Sequence, residues 1–70
     1  LSKLKCVVKL TGFVNAPATF TEQPKVINGA SDFLVAVLGD AGRHARSAVG
    51  AGALPFNVAV EIEGIFQIEP

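Results

Sequence analysis

The order of apolar and polar side chains divides the chain into a strand, a helix and two further strands. From Lys5 to Asn15 the sequence is rich in Val, Leu, Thr and Phe and contains no proline, which predicts a β-strand. A period of two puts Cys6, Val8, Leu10, Gly12 and Val14 on one face and Val7, Lys9, Thr11 and Phe13 on the other. Apolar residues on both faces mark an interior strand. Asn15, Ala16 and Pro17 end it with loop chemistry.

From Gln23 to Leu38 the period changes to that of a helix. Pro24 stands in the first turn, where an amide has no intrahelical acceptor to lose. Val26, Ile27, Ala30, Phe33, Leu34, Val37 and Leu38 follow the three-and-four spacing of one stripe, expected to face a sheet. Gly29, mid-helix, costs about 1 kcal/mol relative to alanine, so a close approach of another backbone is expected there. Gly39 supplies the left-handed stop, and Asp40 to His44 read as a polar loop.

Small residues alternate from Ala45 to Ala53, a second strand with Arg46, Ala48, Gly50 and Gly52 on one side and Ser47, Val49, Ala51 and Ala53 on the other. A turn at Leu54 to Asn57 leads to a third strand, Val58 to about Ile68. Its core face is expected to carry Val58, Val60, Ile62, Gly64, Phe66 and Ile68, with Ala59, Glu61, Glu63, Ile65, Gln67 and Glu69 opposite. So short a connection ordinarily makes a hairpin, and a register centred on the turn would place Arg46 opposite Ile65.

At 70 residues with 50% of them hydrophobic, the chain has more apolar surface than so small a core can hide. Either other chains cover it in an oligomer, or the rest of the same domain lies outside these residues. Six basic and six acidic residues balance to a formal net charge of zero. No basic field exists to hold nucleic acid or an anionic membrane surface, and neither is expected as a partner. The longest apolar stretch, Phe33 to Leu38, is far short of the roughly 20 residues of a bilayer span. A single cysteine, Cys6, cannot form an internal disulfide, which suits a reducing compartment and a cytoplasmic location. One histidine and one cysteine do not make a zinc site. The glycines at 50 and 52 lie within a strand and start no phosphate-binding helix. No metal or other cofactor is expected.

The run Ala45-Arg46-Ser47-Ala48-Val49, then Leu54-Pro55, then Val60-Glu61-Ile62-Glu63 resembles the C-terminal signature of the RidA/YjgF family, also known as L-PSP endoribonuclease-like. Val7-Val8-Lys9 with Phe13-Val14 is similar to the family's preceding strand, and Val26-Ile27-Asn28 to its second helix. The resemblance implies an α+β, chorismate-mutase-like fold in which residues 1–70 form the C-terminal half of a single domain. An N-terminal hairpin, a further strand and the first helix would lie outside them. It also overrides the hairpin: the last strand would sit between the strand at Lys5 to Asn15 and one from the other half.

Function is implied by the same resemblance. Family members assemble as trimers with clefts between subunits, and hydrolyse reactive 2-imino or enamine acids to 2-oxo acids and ammonia. Arg46 matches the arginine that holds the substrate carboxylate, a task suited to a planar fork of donors that stays charged when partly buried. On the residues alone, a structural ion pair across a subunit contact would account for Arg46 equally well. Glu61 matches the glutamate that orients or activates the attacking water. Apolar neighbours such as Val60 and Ile62 would favour its neutral acid form, whereas alternation alone makes Glu61 and Glu63 a solvated strand face. Ala48 stands where many members have cysteine; its backbone groups remain able to meet the imine nitrogen. Asn28 matches a polar helix position placed near the cleft by a neighbouring subunit. His44, beside Arg43, is expected to be solvated, and Cys6 to be buried packing. A binding protein for a small carboxylate metabolite is the alternative to the enzyme. Ribonuclease activity is disfavoured by the neutral charge and the lack of a histidine pair.

Overall fold

A computed structural model describes residues 2–70. Strand β1 (Leu4–Asn15) is followed by helix α1 (Gln23–Leu38), strand β2 (Ala45–Ala51) and strand β3 (Val60–Ile68). Short 3-10 turns occupy Gly39–Gly42 and Pro55–Asn57. The sheet order is β2-β1-β3. β1 pairs parallel with β2, Leu10 beside Arg46 and Gly12 beside Ala48, the connection that a crossover helix permits. β3 pairs antiparallel with β1, Gly12 opposite Ile62 and Phe13 opposite Glu61. β2 and β3 thus lie on opposite sides of β1 and form no hairpin, as the family resemblance implied.

The link between β2 and β3 must therefore cross the end of β1, and Asn15 fastens it there. Its Nδ2 donates to Asn57 Oδ1 at 3.0 Å and to the Val58 carbonyl at 3.1 Å, while its backbone N–H donates to the Ala59 carbonyl at 2.9 Å. Within the turn, the Asn57 N–H returns to the Leu54 carbonyl at 2.9 Å. Proline second and a positive-φ residue third is the type II pattern. The third position here is Phe56, at φ 57° and fully exposed.

Val7, Leu10, Val14 and Ile27 form the buried apolar core. Val8 does not share the face of Leu10, as strict alternation predicted, because the β1–β3 ladder skips it. The register slips between Val7 and Lys9 and again between Leu4 and Cys6. Each extra residue at such a bulge exchanges the two faces of the strand, so Val7 takes the buried place and Val8 is exposed. Cys6 is half-buried beside Gln67 rather than packed away.

α1 lies across β1 and β2 and points Ile27 onto Gly12, where a Cβ would overlap the isoleucine side chain. That is the close approach expected of Gly29, which instead has open space around it. The stripe is also narrower than the sequence predicted. Ile27, Ala30, Leu34 and Leu38 turn inward, while Val26, Phe33 and Val37 are exposed, Phe33 by 66%. Asn28 and Ser31 flank the helix on the β2 side, so Val26, Phe33 and Val37 occupy the flank above β3. Val60, Ile62 and Phe66 share the helix side of the sheet with Val14, Gly12 and Val7, as expected. The chain itself leaves them exposed, together with every other residue of β3.

Candidate functional site: a basic pocket between α1 and β2

A pocket of about 270 Å³ opens where α1 passes the start of β2, lined by Ser31, Val35, Arg43, His44 and Arg46. Its geometry begins with a glycine. A Cβ on Gly42 would run into the Leu34 carbonyl and the Val35 nitrogen. Only glycine lets the 3-10 turn close against the backbone of α1. The Arg43 N–H donates to the Asp40 carbonyl at 3.2 Å and finishes the turn. His44 then enters beneath the helix and is half-buried.

Both ring nitrogens of His44 are engaged, so it is not the solvated loop histidine expected from the sequence. Nδ1 lies against the Gly42 carbonyl, and Nε2 is 2.9 Å from Ser31 Oγ. A carbonyl can only accept, which puts the proton of the neutral ring on Nδ1 and leaves Nε2 to accept from the Ser31 hydroxyl. Ser31 Oγ in turn accepts from Arg46 Nη1 at 3.1 Å. The donor sequence runs Arg46 to Ser31 to His44 to Gly42.

Arg46 projects from β2 toward the helix, on the side of Leu10 and Gly12. Its Nη1 also donates to Asn28 Oδ1 at 2.8 Å. Two acceptors account for the two Nη1 protons. The Nη2 and Nε edge makes no hydrogen bond among the described residues, and no carboxylate pairs with this arginine there. That edge offers two parallel N–H groups, the fork a carboxylate takes bidentately. Arg43 adds a second guanidinium, held at 3.3 Å by Asp40 and largely exposed.

Asn28 and Arg46, 18 residues apart, meet within one chain; Asn28 is here the acceptor that orients the arginine. Ala48 lies on the same side of β2, half-buried, two residues further along. Glu61 stands apart from this group. It is opposite Phe13, the neighbour of helix-facing Gly12, so it projects with Glu63 from the other face of the sheet and is exposed. The apolar surroundings expected for its carboxylate are not formed by this chain. Ser31 and His44 are the site residues the sequence did not bring forward as partners; a serine facing the sheet from an otherwise apolar helix stripe was the available signal.

Residues 1–66 match the family described as "YjgF/chorismate_mutase-like, putative endoribonuclease". A Trypanosoma cruzi protein called Protein TCP17 is 51% identical over 69 residues, covering 97% of this chain and 43% of that protein. Among solved structures, Atu1372 from Agrobacterium tumefaciens, of unknown function, superposes with a TM-score of 0.98 at 54% identity, over 100% of this chain and 45% of that one. A Shewanella oneidensis protein described as a putative endoribonuclease does so with a TM-score of 0.90 at 32% identity, over 97% and 45%. The fold and these matches define one class: the chain belongs to the YjgF/chorismate mutase-like family. It spans less than half the length of these relatives. Among the described residues no helix is long and apolar enough to cross a membrane.

Proposed function

We propose that the protein hydrolyses small 2-imino or enamine acids to 2-oxo acids and ammonia, in a cytoplasmic trimer whose clefts lie between subunits. The observation that carries this reading is the guanidinium of Arg46. Asn28 and Ser31 hold it by one nitrogen, and its Nη2 and Nε edge has no partner among the described residues. A buried or half-buried cation without an anion is costly unless a ligand supplies one. Arg46 and Glu61 project from opposite faces of one sheet, so a site that uses both draws them from two subunits. Trimer assembly is then part of the mechanism. Arg46 clamps the substrate carboxylate, and Glu61 of a neighbouring subunit orients water toward the imine carbon. Backbone groups at Ala48 and Val49 meet the imine nitrogen. Water adds across C=N, and the resulting carbinolamine collapses to the ketone with loss of ammonia; neither metal nor cofactor is invoked.

Ammonia release from a 2-imino acid generated in situ by an amino-acid oxidase tests this. Acceleration by the protein should vanish in Glu61→Gln with affinity for the 2-oxo acid product retained, and both should vanish in Arg46→Ala. Binding without acceleration would replace the enzyme by a carrier or sensor of small carboxylates. Alanine at position 48, where many relatives carry cysteine, is the feature that favours that second reading.

A further inference from the structure

We propose that Ser31 and His44 form a nucleophile and base pair, giving the basic pocket an acyl-transfer activity toward small carboxylate-bearing esters. The proposal goes beyond imine hydrolysis and does not require it. A serine is activated when a base lies within hydrogen-bond reach and a third group orients that base. All three parts are present. Ser31 Oγ is 2.9 Å from His44 Nε2, and the Gly42 carbonyl accepts from Nδ1 and fixes the tautomer. The orienting acceptor is a carbonyl where the best-known triads use a carboxylate, but it imposes the same tautomer. The Gly42 carbonyl is itself fixed, because a glycine is the only residue that fits against Leu34 at that point.

The surroundings add what the pair alone lacks. Arg46 Nη1 donates to Ser31 Oγ at 3.1 Å, so the charge that develops on the oxygen as its proton leaves meets a guanidinium. Arg43 and the outer edge of Arg46 line the same pocket and suit a carboxylate on the substrate, while Val35 supplies an apolar wall. At about 270 Å³ the pocket has room for a small acyl group together with its carboxylate.

The chemistry balances with water as co-substrate. Ser31 Oγ adds to the ester carbonyl while its proton passes to His44 Nε2. The tetrahedral intermediate collapses, the bond to the alkoxy oxygen breaks, and the alcohol leaves with that proton. Water then adds to the acyl-serine with His44 as base, and the carboxylic acid departs as Ser31 recovers its proton.

A fluorophosphonate probe, followed by peptide mass spectrometry of the intact protein, tests the pair without reference to ammonia release. The expected result is a single adduct on Ser31, with hydrolysis of p-nitrophenyl hemisuccinate exceeding that of the uncharged p-nitrophenyl propionate. Ser31→Ala should abolish both. His44→Gln carries both an acceptor and a donor in its side-chain amide but cannot take a proton. It should slow labelling by about 10²-fold or more. Absence of an adduct on Ser31, or an undiminished labelling rate in folded His44→Gln, overturns the proposal.

Discussion

Gly12 lies directly beneath Ile27, and this one approach sets how closely α1 rests on the sheet. The two residues are among the most buried of the chain, Ile27 at 1% exposure. A methyl group at position 12 would have to displace the buried Ile27 side chain. Gly12→Ala should therefore destabilise the protein by about 1–3 kcal/mol, the usual penalty of overpacking. Urea denaturation of the intact protein measures it; an unchanged midpoint would mean that α1 slides freely over β1.

Gly42→Ala should be worse for the pocket than for the core. The obstruction at Gly42 is the backbone of α1, which cannot rotate away as the isoleucine can. The turn would move outward and take the Gly42 carbonyl from His44. The expected signature is a lower melting temperature together with a shifted His44 imidazole resonance, and an undisturbed imidazole would contradict it.

Asn28→Ala removes one of the two acceptors that hold Arg46 while leaving the exposed helix surface otherwise intact. With one hydrogen bond of about 0.5–1.5 kcal/mol lost, affinity for a small 2-oxo acid should fall roughly 2- to 10-fold at nearly constant stability. Titration calorimetry reads this. Equal affinity in the variant would show that Ser31 suffices to orient the guanidinium.

Phe56 combines a left-handed backbone with full exposure. An L-residue with a large side chain is strained there by about 1–2 kcal/mol, and asparagine much less. If Phe56 has only solvent around it in the assembled protein, Phe56→Asn should raise stability by about 1 kcal/mol. A loss of stability or of oligomer on light scattering would instead locate the ring in a contact with another copy or segment.

Asn15→Ala should loosen the crossing between β2 and β3, since both Nδ2 hydrogen bonds are lost. A cost of about 1–3 kcal/mol follows from two bonds of ordinary strength. Faster amide exchange confined to residues 54 to 60 would confirm that the effect is local, and exchange spread evenly over the sheet would refute it.

How much of this was legible in the chain differs by element. The helix agreed with its predicted bounds because Pro24 and Gly39 punctuate it on both sides. Alternation alone extends β2 and β3 too far toward their shared turn, where Gly52, Ala53, Val58 and Ala59 continue the pattern without entering the ladder. Alternation puts Val8 on the wrong face because a bulge leaves no periodic trace; the face is fixed by β3, more than fifty residues away. Placement of β3 beside β1 came from the family signature, since local patterning favoured a hairpin. In the site, Arg46 could be singled out from its setting of small residues. Its partners Asn28 and Ser31 are brought to it only by packing of α1, and the His44 tautomer only by the carbonyl of Gly42.

The central position of β1 has a consequence for the order in which the molecule can form. β1 comes before both of its sheet neighbours in the sequence, yet its parallel partner starts at Ala45 and its antiparallel partner at Val60. During synthesis, at roughly 5–20 residues per second, α1 follows within a few seconds to cover its face, but the two edges must wait longer for their strands. Val7, Leu10 and Val14 are the residues at risk in that interval. Lys3 and Lys5 before this stretch and Lys9 within it carry the like charges that disfavour pairing of one exposed edge with another.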